Sequence, residues 1–270
     1  MDTVPTAPIV FIVAMESERT HLEQLIPGWE HTLENVWPTM RTTYRDATLI
    51  AMRSGIGMVA AAAATEYAIS AWDPRCVINF GCAGAHTREV LPGDVIIGTK
   101  LAHHGRMRMT ADTGMVPMDI PFTVAGEPEQ MGELTCDPNL VAAAEAASKG
   151  LVFDAWPDEH RLPIHPESGE IRVHTGVVSS ADVWLQDSAM LDAAHQRTGS
   201  LCEDMEAGAI AQVAALHGVP FLTIKDISNN EFHKTSVFEG TESALPTAEV
   251  GKRAALLSVA TVDRLLDDAL

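Results

Sequence analysis

Four short stretches of the 270-residue chain carry groups that could do chemistry. Ala14-Met15-Glu16-Ser17-Glu18 supplies carboxylates, and Gly81-Cys82-Ala83-Gly84 is a run of small residues. Glycines in such a run let backbone amides approach a ligand closely. Ser179 to Leu185 brings an aspartate and Trp184; Ser228-Asn229 brings a hydroxyl and an amide. Each stretch follows an apolar run, and in α/β sheets ligands bind outside the carboxyl ends of the strands. Plainer readings stand beside these. Glu18 and Glu206 both lie at starts of expected helices, where a carboxylate complements the helix dipole. Trp184 is of a type usually found packed, and a glycine pair is ordinary turn chemistry. Cys82 has no matched base and reads as a small loop residue, not a nucleophile. The eleven histidines contain no HExxH spacing, so no metal is expected. His103 and His104 are expected at a surface or interface.

The elements that must position these residues alternate along the chain. Ile9 to Ala14 is continuously apolar, as suits a strand covered on both faces. A short helix follows Met15–Arg19, and the mixed residues 37–52 suggest two strands. Met58–Trp72 is alanine-rich and reads as a helix. Cys76–Phe80 and Val95–Ile97 are further strands, the latter after the turn Pro92-Gly93-Asp94. Residues 103–135 hold five methionines and no clean period, and read as a long excursion, a lid or an interface segment. Asn139–Lys149 looks helical, Pro157–Glu170 a loop, and Ile171–Val178 a strand. Asp204–His217 is an amphipathic helix ended by Gly218. Val219–Ile224 is a strand, and Pro246–Leu270 a closing helix. The alternation predicts one α/β domain over residues 1–270, with a mixed, mostly parallel twisted central sheet flanked by helices.

Composition narrows the function classes. Lys plus Arg is 18 against 37 Asp plus Glu, a formal net charge of −19. Such a balance disfavours nucleic acid, whose affinity rests on cations neutralising phosphates, and disfavours an anionic membrane surface. No stretch of 18 apolar residues suggests a membrane span. The chain start lacks the pattern of a signal peptide. Cys76, Cys82, Cys136 and Cys202 form no CxxC pair and read as reduced cytoplasmic thiols.

Several segments together resemble one family. They are Ala14-Met15-Glu16-Ser17-Glu18, Ser54-Gly55-Ile56-Gly57-Met58-Val59-Ala60-Ala61, Asn79-Phe80-Gly81-Cys82-Ala83-Gly84 with Pro92-Gly93-Asp94, Glu203 to Ala211, and Ile227-Ser228-Asn229. In order and spacing they are similar to the 5′-methylthioadenosine/S-adenosylhomocysteine nucleosidases, within the nucleoside phosphorylase superfamily. The resemblance leaves out residues 103–170. It implies hydrolysis of the N9–C1′ bond of a purine nucleoside modified at the 5′ position, with water as co-substrate, in a homodimer and without cofactor. Glu18 would be the general base that activates water. Glu206 would accept from the ribose hydroxyls and Met205 would pack near the sugar. Trp184 would stack on the base and Leu185 would pair with it through the main chain. Ile56, Cys82, Ala83, Gly84 and Ser228 would complete the substrate site.

Asn229 departs from the pattern. Adenine-cleaving members carry an aspartate there, which protonates N7 of the leaving base. An amide is a paired donor and acceptor and no acid, so it suits a 6-oxopurine, as in futalosine hydrolases or inosine and guanosine phosphorylases. Asp226, three residues earlier, is a candidate replacement acid. A phosphorylase would need arginines around its phosphate. Arg19, Arg53 and Arg88 are available but stand at no matching position, and a carboxylate in the nucleophile pocket repels phosphate. Hydrolysis is therefore the expectation, with phosphorolysis and a catalytically idle nucleoside-binding protein as its rivals.

Overall fold

The five apolar residues Ile9–Val13 form strand β1, and none has exposed surface. It lies between two parallel neighbours, which explains why its sequence does not alternate. The computed structural model describes residues 7–112, 114–118, 122–125, 127–130, 134–233 and 248–267. After β1 come α1 (Glu16–Leu25), β2 (Glu30–Glu34), β3 (Trp37–Tyr44) and β4 (Ala47–Arg53). Helix α2 (Met58–Trp72) leads to β5 (Cys76–Ala85) and β6 (Val95–His103). Then follow β7 (Met107–Thr110), β8 (Gly114–Pro117), β9 (Phe122–Val124), β10 (Glu127–Gln130) and β11 (Leu134–Thr135). The remainder is α3 (Pro138–Ser148), β12 (Val173–Ser180), α4 (Ser188–Thr198), β13 (Ser200–Asp204), α5 (Ala207–His217), β14 (Phe221–Asn229) and α6 (Lys252–Asp267).

The fold is a single-domain α/β architecture around a mixed sheet in the order β11-β6-β12-β13-β5-β1-β4-β3-β2. Strand β14 pairs parallel with β5 and antiparallel with β6. The strands β5, β13, β12, β6 and β14 therefore close into a ring. Helices α1, α3 and α6 pack together on one side, and α2 packs on α5 on the other. The expected elements recur with shifted ends: β5 and β14 run on through Gly84 and Asn229, the two stretches that seemed to follow them. The sequence reading did not name β2, α4 and β13. The described residues between 103 and 135 include two antiparallel pairs, β7–β8 and β9–β10, with β11 joining the main sheet. Met131 of the methionine-rich segment, and the ends 246–247 and 268–270 of the expected last helix, lie outside the described residues.

Candidate active site

A cavity opens where β1, β5, β13 and β14 end. The turn after β1 contributes Ala14, Met15 and Glu18; the end of β5 contributes Cys82, Ala83 and Gly84. Ile56 comes from the turn before α2, Trp184 from the segment after β12, and Met205 and Glu206 from the turn before α5. Ser228 and Asn229 at the end of β14 complete the wall. The carboxyl ends of the strands thus bring together every candidate but one.

Glu18 is 2% exposed. It is the third residue of α1 and its Oε2 accepts the N–H groups of Ala14 (3.1 Å) and Met15 (3.0 Å). The helix-start role read from the sequence is therefore present. Its Oε1, however, reaches across to accept Cys82 N–H at 3.0 Å. Gly81 has no room for a side chain here, because an added Cβ would stand 2.9 Å from Glu18 Cδ. Burial raises the Glu18 pKa above the ordinary carboxylate value, while Lys225 and the three backbone donors pull the other way. A carboxylate poised upward in this manner is a better proton acceptor near neutrality.

Glu206 lies at the N-terminus of α5 but makes no capping bond there. Asp204 takes that part, accepting Ala207 N–H at 2.9 Å. Glu206 Oε1 instead accepts Gly57 N–H at 2.8 Å, which ties the turn before α2 to the cavity. Burial, with Asp204 next in size, raises the Glu206 pKa, and the Lys225 ammonium opposes the rise.

Lys225 is the residue that sequence reasoning missed. It is 1% exposed on β14 and pairs with Asp204 at 2.7 Å. Burial alone would discharge it, but Asp204, Glu206 and Glu18 hold its pKa above the ordinary value. The signal was a lysine inside an otherwise apolar strand, Phe221-Leu222-Thr223-Ile224-Lys225. One buried cation thus faces three carboxyl groups, of which burial pushes Glu18 and Glu206 toward holding their protons.

The base side is different. Ser228 Oγ donates to Asn229 Oδ1 at 2.8 Å, and Asn229 Nδ2 donates to Glu231 Oε1 at 3.0 Å. These two partners set which end of the amide faces which way. Leu185 is the exception among the expected residues. It is 7% exposed but does not line the cavity, and it packs with Leu191, Ala194 and Phe232. Its N–H is donated to Glu203 Oε1 at 2.8 Å, so main-chain pairing with a base through that N–H is not free in this structure. Trp184 does line the cavity.

Other expectations are corrected by the geometry. His104 is buried, not at a surface, and its Nδ1 is held by Ser179 Oγ at 2.8 Å. Asp226 does not reach the cavity, since its carboxylate turns to α6 and accepts Arg253 N–H at 2.9 Å. Burial pushes the Cys82 thiol well above its ordinary pKa, against a nucleophile. Arg19 and Arg53 pair with Glu16, and Arg88 with Asp192; none lines the cavity. Among the described residues no cluster of His, Cys, Asp and Glu could hold a metal ion.

Comparison with known proteins agrees with this geometry. The Phosphorylase superfamily model matches residues 8–263. A 5′-methylthioadenosine/S-adenosylhomocysteine nucleosidase of Tolumonas auensis is 31% identical over 96% of this chain and 98% of its own. The chain belongs to the phosphorylase superfamily, in its 5′-methylthioadenosine/S-adenosylhomocysteine nucleosidase family. The Neisseria meningitidis nucleosidase, solved with methylthio-immucillin-A, is 25% identical, covers 98% of this chain and 100% of its own, and superposes with a TM-score of 0.69. A futalosine hydrolase mutant of Helicobacter pylori shares the fold at 20% identity, with a TM-score of 0.73 and coverage of 96% and 99%. Within this nucleosidase family fold, the cavity at the strand ends brings the buried carboxyl groups of Glu18, Glu203, Asp204 and Glu206 to a wall that holds Trp184 and Asn229.

Proposed function

We propose that the chain is a purine nucleosidase that hydrolyses the N9–C1′ bond of a 5′-modified purine nucleoside of the methylthioadenosine or adenosylhomocysteine type. The observation that carries this reading is the pair Glu18 and Glu206, both buried in one cavity and each fixed by backbone N–H groups. As the glycosidic bond breaks, the sugar gains oxocarbenium character and the bond's electron pair leaves with the base. Glu206 accepts from the ribose hydroxyls and stabilises the growing positive charge. Glu18 takes a proton from the water that adds to C1′, solvent supplies the proton that the departing base takes up with the bond's electron pair, and the products are a free purine and a free sugar. Met205 packs on the sugar, and Trp184 stacks on the base, an interaction worth on the order of 1–3 kcal/mol by analogy with stacked bases in nucleic-acid complexes. None of the described residues lining the cavity is an arginine that could hold a phosphate dianion, and the Glu18 carboxylate repels one.

A second reading of the base concerns its 6-position. Ser228 and Glu231 hold the Asn229 amide so that one lone pair of Oδ1 and one N–H of Nδ2 remain. That pair is complementary to N7–H and O6 of a leaving 6-oxopurine, once solvent has delivered the N7 proton. Purine release should be assayed on methylthioadenosine, adenosylhomocysteine, inosine, guanosine and futalosine, with and without phosphate. Phosphate-independent release supports the nucleosidase; phosphate-dependent release makes it a phosphorylase, and binding without turnover makes it an idle binder. The base preferred in that panel decides between the two base readings.

We further propose a homodimer in the cytoplasm. A groove of Met58, Val59, Ala62, Val183, Val213 and Leu216 adjoins the cavity through Val183, with Val59 81% exposed. A second copy covering it would remove this apolar surface from water. The four free cysteines suit a reducing compartment. Sedimentation of the intact protein at micromolar concentration tests the dimer; a monomer there would rule it out.

A further inference from the structure

Behind the base side of the cavity lies a buried polar cluster that the proposed reaction does not use. Glu203, on β13, is 4% exposed and lines the cavity wall. Its Oε1 accepts Leu185 N–H at 2.8 Å. Its Oε2 stands 3.1 Å from His86 Nε2 and 3.2 Å from His104 Nε2. The two imidazoles are fully or almost fully buried and meet edge to face. Their other ring nitrogens are held by hydroxyls: His86 Nδ1 by Ser200 Oγ at 2.7 Å, His104 Nδ1 by Ser179 Oγ at 2.8 Å. An ionised carboxylate can only accept, so the His86 nitrogen bonded to it carries a hydrogen and Ser200 donates to Nδ1. Residues from β5, β6, β12 and β13, or just beyond their ends, thus converge on one carboxylate whose other oxygen grips one loop amide.

Among the described residues no lysine or arginine pairs with this carboxylate, which makes it an expensive way to hold the N–H groups of Leu185 and His86. An apolar side chain would fill the same space with less desolvation. What the carboxylate adds is direction. Two and three residues further along the chain stand Met205 and Glu206, so the base-side loop and the ribose-side carboxylate are referenced to one strand. Sites keep their geometry when such supporting bonds lock the residues that touch the ligand.

We propose that Glu203 is a positioning residue for purine recognition: by holding the Leu185 amide it sets Trp184 at the cavity wall, and His86 keeps its carboxylate in place. The proposal rests on the nucleosidase reading and deepens it. Releasing the loop weakens base binding and leaves water activation by Glu18 intact, so the effect falls on KM and not on kcat.

The experiment uses the full chain carrying Glu203→Met, which keeps the volume and removes the acceptor, and Glu203→Gln, which keeps an acceptor for Leu185. Steady-state constants on the best substrate of the panel, the Kd of free adenine and hypoxanthine by calorimetry, and amide hydrogen exchange over residues 183–187 are measured. Glu203→Met is expected to raise KM and the Kd of the base about ten- to a hundredfold, with kcat within about threefold and lost protection confined to that loop. Glu203→Gln is expected to restore all three to near wild type. His86→Leu frees one side of the carboxylate, gives the same direction at smaller size, and serves if Glu203→Met does not fold. Unchanged KM, Kd and loop exchange in a folded Glu203→Met or His86→Leu variant would overturn the proposal. So would a Glu203→Gln variant as impaired as Glu203→Met. If the wild-type protein releases no purine from any substrate, the nucleosidase reading fails, while loop exchange and base binding still decide the role of Glu203.

Discussion

The two ends of the cavity are built on different principles. At the sugar end, Glu18, Asp204 and Glu206 surround Lys225, and backbone N–H groups of Ala14, Met15, Gly57 and Cys82 fix the two glutamates. At the base end a neutral amide, Asn229, is held by a hydroxyl and a more distant carboxylate. In the proposed reaction the first end organises charge around the sugar and the second reads the base through an amide, so rate and specificity should separate in mutants.

The sharpest break should come from Glu18→Gln. It removes the proton acceptor and leaves one oxygen to accept backbone N–H groups where the carboxylate used two, and kcat should fall about 10²–10⁴-fold. The Kd of a purine base should stay within experimental error by calorimetry. Lys225→Met comes next, measured as stability. It leaves Asp204 buried without its partner, and breaking such a pair costs about 3–5 kcal/mol in urea unfolding. A loss well under that range would mean the three carboxylates share their protons without the lysine.

Asn229→Asp acts at the other end alone. It restores an acid that can protonate N7 and accept from a 6-amino group. The ratio of kcat/KM for 6-amino over 6-oxo substrates should rise about ten- to a hundredfold. No change in that ratio would remove Asn229 from base selection. The smallest effect concerns pH. Glu18 and Glu206 have raised pKa values in the folded state, so the native protein holds protons that the unfolded chain releases. Stability contributed by these groups is present at acid pH and falls as pH rises from the ordinary carboxylate range through the raised values. Glu206→Gln removes one such group and should raise Tm at pH 8 by about 2–4 °C, the shift expected for about 1 kcal/mol in a chain of this size. Activity runs the other way, because Glu18 must lose its proton to act as base; kcat of the wild type should rise with pH and then level.

Much of this was legible in the residues. The inner strand β1 announced itself as a continuous apolar run and β5 as an apolar run broken by Asn79, and the strand ends carried the site because parallel strands deliver their carboxyl ends to one edge. Glu206 and Asn229 were readable as types with a chemical meaning. What escaped was whatever depends on contacts distant in sequence. The closing of β14 onto β6 rests on pairing Ile224 with Ile97, far apart along the chain. The Lys225–Asp204 pair joins residues whose charges looked unrelated in line. Leu185 matched a base-pairing position, yet its N–H is taken by Glu203, eighteen residues away. His104 looked like a surface histidine only because Ser179 lies 75 residues downstream.

The central claim is that the two glutamates flank one sugar. It is tested most directly by a crystal structure of the Glu18→Gln protein with an intact 5′-methylthio purine nucleoside. The account predicts both ribose hydroxyls within about 2.6–3.2 Å of the Glu206 carboxylate, and a water between the side chain at position 18 and C1′ at the same range. Ribose hydroxyls turned away from Glu206, or position 18 on the far side of the base from C1′, would contradict it.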